Sequence, residues 1–142
     1  MTRELTPEEE GFVYIAGPYR AADGGHDADY YDEIDANIQR ARDAAIFLAS
    51  NDIPYFCPHL NSAHMEVDAS HILPAYWYRM DMTILRYAKA LWLLEGWTAS
   101  QGATDEYKAA RKQDIPVFAP QEGEDLVRTW RDRCRDIAER SN

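Results

Sequence analysis

Short β-prone blocks alternate with longer helical patterns along this chain. The blocks are rich in apolar residues, are bounded by glycine, proline or polar residues, and cover residues 12–16, 53–57, 90–94 and 114–120. Continuous apolar runs of this length are typical of strands that are buried on both faces of a parallel sheet. We therefore predict a parallel sheet of four or five strands.

Helical periodicity fills the intervals between these strands. Apolar residues recur at three- and four-residue spacing from Asp32 to Leu48, and similar patterns cover residues 74–89, 103–113 and 122–140. Right-handed β-α-β units place such helices on the faces of a parallel sheet. The alternation predicts an α/β fold, a Rossmann-like or flavodoxin-like three-layer sandwich. We expect a single domain over residues 1–142, with residues 1–10 as a polar leader.

Residues 19–31 lack an apolar period and are predicted to be a long loop, whereas the sequence predicts no element for residues 60–74. Residues 19–31 contain two adjacent glycines and several aspartates, and long loops at strand ends are commonly lids or binding loops. Residues 60–74 follow the second strand. Three histidines occur at the end of that strand and within this segment, namely His59, His64 and His71. Their spacing matches no metal-ligand pattern, so we predict neither a metal nor another cofactor.

Composition and charge narrow the class of ligand. The 142 residues, 46% of them hydrophobic, suffice for one domain with a sizeable core. The formal net charge of -10 opposes binding to a nucleic-acid polymer or an anionic membrane, so any bound phosphate must be small and held locally. No apolar run approaches the roughly 18 residues of a membrane span, and the acidic N-terminus has no signal-peptide pattern. We expect a cytoplasmic protein that binds a small molecule.

The third strand leads into the most informative stretch of the chain. Gly96, Ser100 and Gly102 follow it, and Glu106 is predicted to lie in the first turn of the next helix. In an open α/β sheet, ligands bind at the carboxyl ends of the strands, where the free amides of a helix N-terminus hold an anion. A plainer interpretation is that Ser100 caps the helix and Glu106 complements its dipole. The local sequence is compatible with both.

The fold class alone does not identify the chemistry. No Gly-x-Gly-x-x-Gly follows the first strand, and no Gly-Lys-Ser/Thr loop occurs anywhere in the chain. Dinucleotide dehydrogenases and P-loop enzymes are therefore disfavoured.

An ordered set of short motifs resembles one enzyme superfamily. The set runs through the predicted core as Tyr14-Ile15-Ala16-Gly17-Pro18-Tyr19, Asn37, Pro58-His59, Asp81, Gly96-Trp97 and Ser100-x-Gly102-x-x-x-Glu106. It resembles the nucleoside 2-deoxyribosyltransferase superfamily, and most of all its small branch of uncharacterised proteins of the DUF4406 type. The resemblance spans residues 12–119, nearly the whole predicted core.

The resemblance implies cleavage of the N-glycosidic bond between a ribose or deoxyribose and a base. In that superfamily the glutamate matching Glu106 is the nucleophile on the anomeric carbon, the aspartate matching Asp81 lies beside it, and the tyrosine matching Tyr14 lies nearby. The chemistry suits carboxyl groups, because a departing base leaves an oxocarbenium-like centre that a carboxylate traps, while a second acid protonates the base. Relatives of this kind are homo-oligomers, usually dimers or higher, in which a neighbouring subunit completes the pocket.

Ser100 bears on the class of substrate. Six residues before the nucleophile, the base-exchanging transferases similar to this chain commonly carry an aspartate, whereas the related nucleoside 5'-monophosphate hydrolases carry a serine. An aspartate repels a 5'-phosphate, and a serine hydroxyl beside free backbone amides accepts one. Arg20 is the candidate cation for that phosphate, with a solvated loop arginine as the alternative.

Four further residues are candidates for the substrate pocket, namely Gly17, Tyr19, His59 and Gly102. Each follows a predicted strand or opens the helix after it. For His59 the alternative is a residue that only caps its strand.

Aromatic residues are candidates either for stacking on a base or for core and interface positions. They are Tyr19, Trp77, Tyr78 and Trp97. The C-terminal helix that carries Trp130, together with residues 76–78, is a candidate subunit interface.

These observations predict a hydrolase that cleaves the N-glycosidic bond of a (deoxy)ribonucleoside 5'-monophosphate through Glu106. Two alternatives stay open. One is a nucleoside 2-deoxyribosyltransferase that exchanges one base for another, and the other is a non-catalytic module that binds a nucleotide in the same pocket.

Overall fold

A parallel four-stranded sheet forms the centre of the computed structural model, which describes residues 3–20 and 28–140, with side chains from residue 30 onward in the second range. The strands are β1 Val13–Ala16, β2 Tyr55–Phe56, β3 Ala90–Leu93 and β4 Val117–Phe118. Their order across the sheet is β2-β1-β3-β4, and every pair is parallel. The predicted α/β fold with a parallel sheet of at least four strands is confirmed.

Helices connect and cover these strands. The described part of the chain contains α1 Pro7–Glu10, α2 Ala28–Ser50, α3 Pro58–Asn61, α4 Met65–Asp68, α5 Pro74–Leu85, α6 Gln101–Lys112 and α7 Gly123–Arg140. A 3-10 turn, Trp97–Ala99, lies between β3 and α6.

The side chains of β1 alternate between two helical layers. Val13 and Ile15 pack with α2 and α7, whereas Tyr14 and Ala16 pack with α5 and α6. All four are fully buried, because successive residues of a strand face opposite sides and both sides are covered. The molecule is therefore a Rossmann-like three-layer sandwich, as predicted.

The strand register places the carboxyl ends of β1 and β3 level with each other. Ala16 pairs with Leu93, and the next N–H, of Leu94, donates to the Ala16 carbonyl over 2.8 Å. A Cβ on Gly17 would stand 2.9 Å from the Leu94 Cβ. The close approach of the two chain segments therefore requires glycine at this position.

The first crossover helix is longer than its apolar pattern predicts. α2 begins at Ala28, so the end of the predicted loop 19–31 is helical, while residues 21–27 lie outside the described residues. Tyr30 is buried and packs with Ile34 one turn later. This contact between residues four apart extends the helix one turn before Asp32, where the predicted apolar pattern began.

Other differences from the predicted elements involve short segments. The segment after β2, for which the sequence predicts no element, contains α4 and the end of α3, each only four residues long. α5 ends at Leu85 rather than residue 89, because hydrogen-bonded turns formed by Tyr87 and Ala88 lead the chain into β3.

The N-terminal segment packs against α7. Thr6 and Glu9 form a capping box around α1. Arg133 of α7 donates to the backbone oxygens of Glu9 and Glu10 at 2.7 and 2.8 Å. The predicted polar leader therefore includes an element that is attached to the domain.

Trp130 belongs to the core. Its side chain is 4% exposed and packs with Leu126, Val127 and the sheet. The helical period of this segment predicts packing either on the sheet or on a partner subunit, and the apolar stripe of α7 packs on the sheet of its own chain. Trp130 is therefore not part of a subunit interface. No helix in residues 3–20 or 28–140 is long and apolar enough to cross a membrane.

Candidate active site

A cavity of about 700 Å³ opens at the edge of the sheet where the strands end. The segments after β1, β2 and β3 line it together with α2, α5 and α6. Eight predicted site residues line it, namely Gly17, Tyr19, Arg20, His59, Asp81, Ser100, Gly102 and Glu106. The ninth, Tyr14, is fully buried and bonded to one of them. All the predicted site residues therefore meet in one place.

Glu106 is the most deeply placed acid of this cavity. Its side chain is 7% exposed, and the Tyr14 hydroxyl donates a hydrogen bond to its Oε2. The prediction that Glu106 lies in the first turn is wrong: α6 begins at Gln101, earlier than its apolar pattern indicates, so Glu106 lies in the second turn and no acidic residue lies in the first. Complementing the helix dipole, the plainer role considered for Glu106, does not fit this placement because that effect is confined to the first turn.

Burial makes two of the cavity carboxyl groups, Glu106 and Asp81, weaker acids than usual. It raises the pKa of Glu106 to about 8, with smaller contributions from Asp81 and Asp105, while the Tyr14 hydrogen bond opposes the rise. Burial also raises the pKa of Asp81 to about 6. Within the described residues, Asp81 Oδ1 is buried and has no hydrogen-bond partner. Repulsion between the two acids is thus secondary to desolvation, and the pair holds one proton between about pH 6 and pH 8.

Ser100 is the N-cap of α6. Its Oγ accepts a hydrogen bond from the Ala103 N–H at 3.2 Å, which confirms the capping interpretation. The Ser100 side chain also lines the cavity, and the first N–H groups of a helix have no intrahelical acceptor. Capping and anion binding are therefore compatible at this serine.

Gly102 has no packing reason to be glycine. A Cβ added there would meet only Ser100 Oγ, at 4.0 Å. Glycine costs roughly 0.5–1 kcal/mol relative to alanine inside a helix. The missing side chain instead leaves space in the cavity beside the N-terminus of α6, in contrast to Gly17, which strand packing explains.

His59 is a buried and neutral residue whose N–H is already bonded. It is 5% exposed, and burial lowers its pKa. Its Nε2 lies 2.8 Å from the Pro18 carbonyl oxygen. A carbonyl only accepts, so Nε2 carries the hydrogen. His59 thus joins the segment after β2 to the end of β1 and presents its ring, rather than a free donor, to the cavity.

Tyr19 also uses its polar group within the protein. Its hydroxyl donates to the Glu66 carboxylate, with oxygen distances of 3.0 and 2.9 Å, and accepts from the His64 N–H at 2.8 Å. The Asn37 side chain donates to its backbone oxygen at 3.1 Å. Sequence reasoning missed Glu66, because nothing near it in the chain signals a partner 47 residues away.

Further charged residues surround the cavity. Arg20 is exposed. Burial raises the pKa of Tyr19, and the positive charge of Arg20 offsets a small part of that rise. The remaining charged residues of the lining are Glu33, Arg40, Glu66 and Glu95. The cavity is therefore not uniformly positive, and an anion is favoured only near the helix N-terminus and the two arginines.

Two of the predicted aromatic candidates line the cavity from α5. They are Trp77 and Tyr78. Trp97 instead packs on Tyr107 with ring centroids 4.9 Å apart, and the Tyr19 ring packs on His59 at 5.5 Å. A planar group in the cavity would therefore contact α5.

No group of three or more His, Cys, Asp or Glu side chains in the described ranges is arranged to hold a metal ion. The cavity lining offers carboxyl groups, hydroxyl groups, an imidazole ring and two guanidinium groups.

The family match covers the elements that build this site. A family model described as a domain of unknown function, DUF7768, matches residues 11–119. The chain belongs to this family. The matched range of the DUF7768 domain runs from the start of β1 to the end of β4 and omits α7. No curated protein matches the chain. The family description assigns no activity, so the function is argued from the site.

Proposed function

We propose that the protein hydrolyses the N-glycosidic bond of a (deoxy)ribonucleoside 5'-monophosphate in the cytoplasm, releasing the free base and a sugar phosphate. One observation carries this proposal: the buried carboxyl group of Glu106 and the half-buried carboxyl group of Asp81 share one cavity beside the N-terminus of α6. Carboxyl pairs of this kind supply the nucleophile and the acid for glycoside cleavage.

The first step forms a glycosyl ester. The Glu106 carboxylate attacks the anomeric carbon, the bond from that carbon to the base nitrogen breaks, and the bonding electron pair leaves with the base. Asp81 donates a proton to the departing base, so the base leaves neutral. With pKa values of about 8 for Glu106 and about 6 for Asp81, the single proton of the pair resides on Glu106. The step therefore requires that this proton first move to Asp81, and the Tyr14 hydrogen bond assists the move because it favours the ionised Glu106.

The second step restores the carboxylate. Water attacks the anomeric carbon, Asp81 accepts one of its protons, and the ester bond to Glu106 breaks with its electron pair returning to the carboxylate. A second base in place of water would give base exchange instead. The two reactions share their first half and differ in what enters the cavity next.

Three features support a 5'-phosphate on the substrate. Ser100 and the free amides of α6 face the cavity, Gly102 leaves room beside them, and Arg20 lines the same space. Helix N-termini bind phosphate through their N–H groups and dipole. Glu95 precedes this turn and lines the cavity, and its carboxylate opposes binding of the phosphate. The affinity for the phosphate therefore depends on the hydrogen-bond donors beside it, since the net charge of the protein is negative.

We also propose that the chain works as a homodimer or a higher homo-oligomer. Residues around α5 are unusually exposed for their apolar character, with Leu73 at 72% and Tyr76 at 44%. Tyr78 is 48% exposed and also lines the cavity. A second copy on this face would lie beside the cavity and would cover these side chains. Light scattering after size-exclusion chromatography tests this, and a monomer at micromolar concentration would contradict it.

A panel of matched substrates tests the proposed activity. Purified protein is incubated with ribo- and deoxyribonucleoside 5'-monophosphates and with the corresponding nucleosides, and free base is separated by chromatography. We expect release from monophosphates, at least tenfold slower release from the nucleosides, and none with Glu106→Gln. Glu95→Gln removes a carboxylate that opposes the phosphate but leaves the reacting pair intact, so activity on monophosphates should be retained or increased.

Other results point to the alternatives. Release only from nucleosides, accelerated by a second free base, would replace the hydrolase by a transferase. Binding of nucleotides without release from any of them would leave a nucleotide-binding module.

A further inference from the structure

Three parts of the cavity lie along the sheet edge in an order that matches the phosphate, the sugar and the base of a nucleotide. Ser100 follows β3, Tyr14 with its bonded Glu106 lies on β1, and Glu66 follows β2. Neighbouring strands are about 4.8 Å apart, so β2 and β3 are roughly 10 Å apart with β1 between them. If the proposed function holds, a phosphate at Ser100 and an anomeric carbon at Glu106 direct the base toward the β2 side.

Three neutral side-chain donors that follow β1 and β2 are already bonded within the protein. His59 donates Nε2–H to the Pro18 carbonyl, the Ser62 hydroxyl donates to the Pro58 carbonyl at 3.0 Å, and the Tyr19 hydroxyl donates to Glu66. All three of these side chains line the cavity. This side of the cavity therefore offers a ligand mainly hydrogen-bond acceptors.

Glu66 is the charged acceptor among them, and it is held in place. Tyr19 contacts both carboxylate oxygens, and its own oxygen is fixed by the His64 N–H. One hydroxyl proton cannot occupy all the lone pairs of a carboxylate, which has about four acceptor positions. No lysine or arginine in the described ranges lies within ion-pair distance of Glu66.

We infer that Glu66 selects the base by accepting a hydrogen bond from an exocyclic amino group. Guanine, cytosine and adenine share that donor. Uracil has a carbonyl where cytosine has the amino group. Hypoxanthine has a carbonyl where adenine has the amino group, and a hydrogen where guanine has it. A carbonyl oxygen facing the carboxylate is repelled. A site whose polar groups need a particular donor discriminates strongly against analogues that lack it. Tyr19 acts as a positioning residue for Glu66.

Matched nucleotide pairs that differ at the amino group test this inference. They are the 5'-monophosphates of guanosine and inosine, cytidine and uridine, and adenosine and purine riboside. The kcat/KM for base release is measured with the wild-type protein, and Kd is measured by calorimetry with Glu106→Gln, which keeps the cavity but does not react. The amino member of at least one pair should be favoured about tenfold or more in both quantities.

Three variants assign the effect to its residue. Glu66→Gln should reduce the preference to less than about threefold. Glu95→Gln, which removes one carboxylate from the β3 side of the cavity, should leave the preference unchanged. Tyr19→Phe should weaken the preference through KM while kcat stays within about twofold, because it releases Glu66 without removing it.

The outcomes separate this inference from the proposed activity. Equal values in every pair overturn it even if base is released, as does a preference that survives Glu66→Gln but is lost in Arg20→Ala. A preference in Kd without base release from any nucleotide supports the role of Glu66 and overturns the hydrolase. Comparison of the pairs in the wild-type protein decides the matter even if the Glu66 variant does not fold.

Discussion

The Tyr14 hydroxyl on β1 donates a hydrogen bond to Glu106 on α6, across 92 residues of sequence. Both side chains are buried, so the bond fixes a carboxyl group at the floor of the cavity. It also opposes the effect of burial, which raises the pKa of Glu106 to about 8. The central strand thus both positions the candidate nucleophile and favours its reactive form.

Tyr14→Phe tests this relationship. Removing the donor should lower kcat/KM by about 10- to 100-fold, since a hydrogen bond to a charged group contributes roughly 1.5–3 kcal/mol. The upper limb of the pH profile should move to higher pH, because the bond that lowers the pKa of Glu106 is lost. Tyr87→Phe, on a side chain that is 64% exposed, is the matched control. An upper limb that stays in place in Tyr14→Phe would contradict the role assigned to the bond.

The carboxyl pair should give a bell-shaped dependence of kcat/KM on pH. The pKa of Asp81 is about 6 and that of Glu106 about 8, and the reactive form is the one with a single proton on the pair. We expect a maximum near pH 7, with apparent pKa values that belong to the pair. Initial rates of base release from pH 5 to pH 9 measure it. A rate that rises continuously to pH 9 would exclude the need for a protonated acid.

Stability should fall as the pH rises from 6 to 8. The pKa of Glu106 is about 8 in the folded protein, against 4.5 as its ordinary value, so over this range the folded state binds more protons than the unfolded state. The free energy of unfolding should decrease by up to about 1.4 kcal/mol per pH unit. Glu106→Gln removes this contribution and should flatten the slope. Denaturant titrations at pH 6, 7 and 8 measure the free energy of unfolding of the two proteins. Equal dependence of that free energy on pH in both would show that the pKa of Glu106 is not raised in the folded protein.

Gly102→Ala should separate stability from ligand binding. The new Cβ meets only Ser100 Oγ at 4.0 Å, so the free energy of unfolding should rise by about 0.5–1 kcal/mol. The methyl group occupies space beside the α6 N-terminus, so affinity for a nucleoside monophosphate should fall at least tenfold. Thermal denaturation and calorimetric titration measure the two effects. Unchanged affinity would place the phosphate elsewhere in the cavity.

Ser100→Asp should distinguish the phosphate from the rest of the substrate. Aspartate is as good an N-cap as serine, so α6 should keep its stability. Its charge repels a 5'-phosphate, so kcat/KM for monophosphates should fall by more than tenfold while that for the nucleosides stays the same or rises. Asn in place of Ser100 caps equally well without the charge and is the control. Equal losses on both substrate classes would show that Ser100 does not act on the phosphate.

The layout of the fold was accessible to prediction because its signals are local. The continuous apolar run of β1, flanked by Gly17, indicates a strand covered on both faces whichever helices cover it. The same argument located Gly17, His59 and Ser100 at one edge, since the carboxyl ends of parallel strands converge there. The start of α2 was misplaced, because the Tyr30–Ile34 contact becomes informative only when Tyr19 packs against it.

The sequence by itself determined the α/β alternation, the strands whose ends meet at the cavity, and the types of residue at those ends. Each of these depends only on a residue and its near neighbours along the chain. The tertiary structure alone decided that Trp130 is a core residue, that the N–H of His59 is already bonded, and that Glu66 faces the cavity. It also decided the protonation of Glu106, since burial and a partner 92 residues away control that pKa. Desolvation and long-range hydrogen bonds exist only once the layers have packed, so no local pattern contains them.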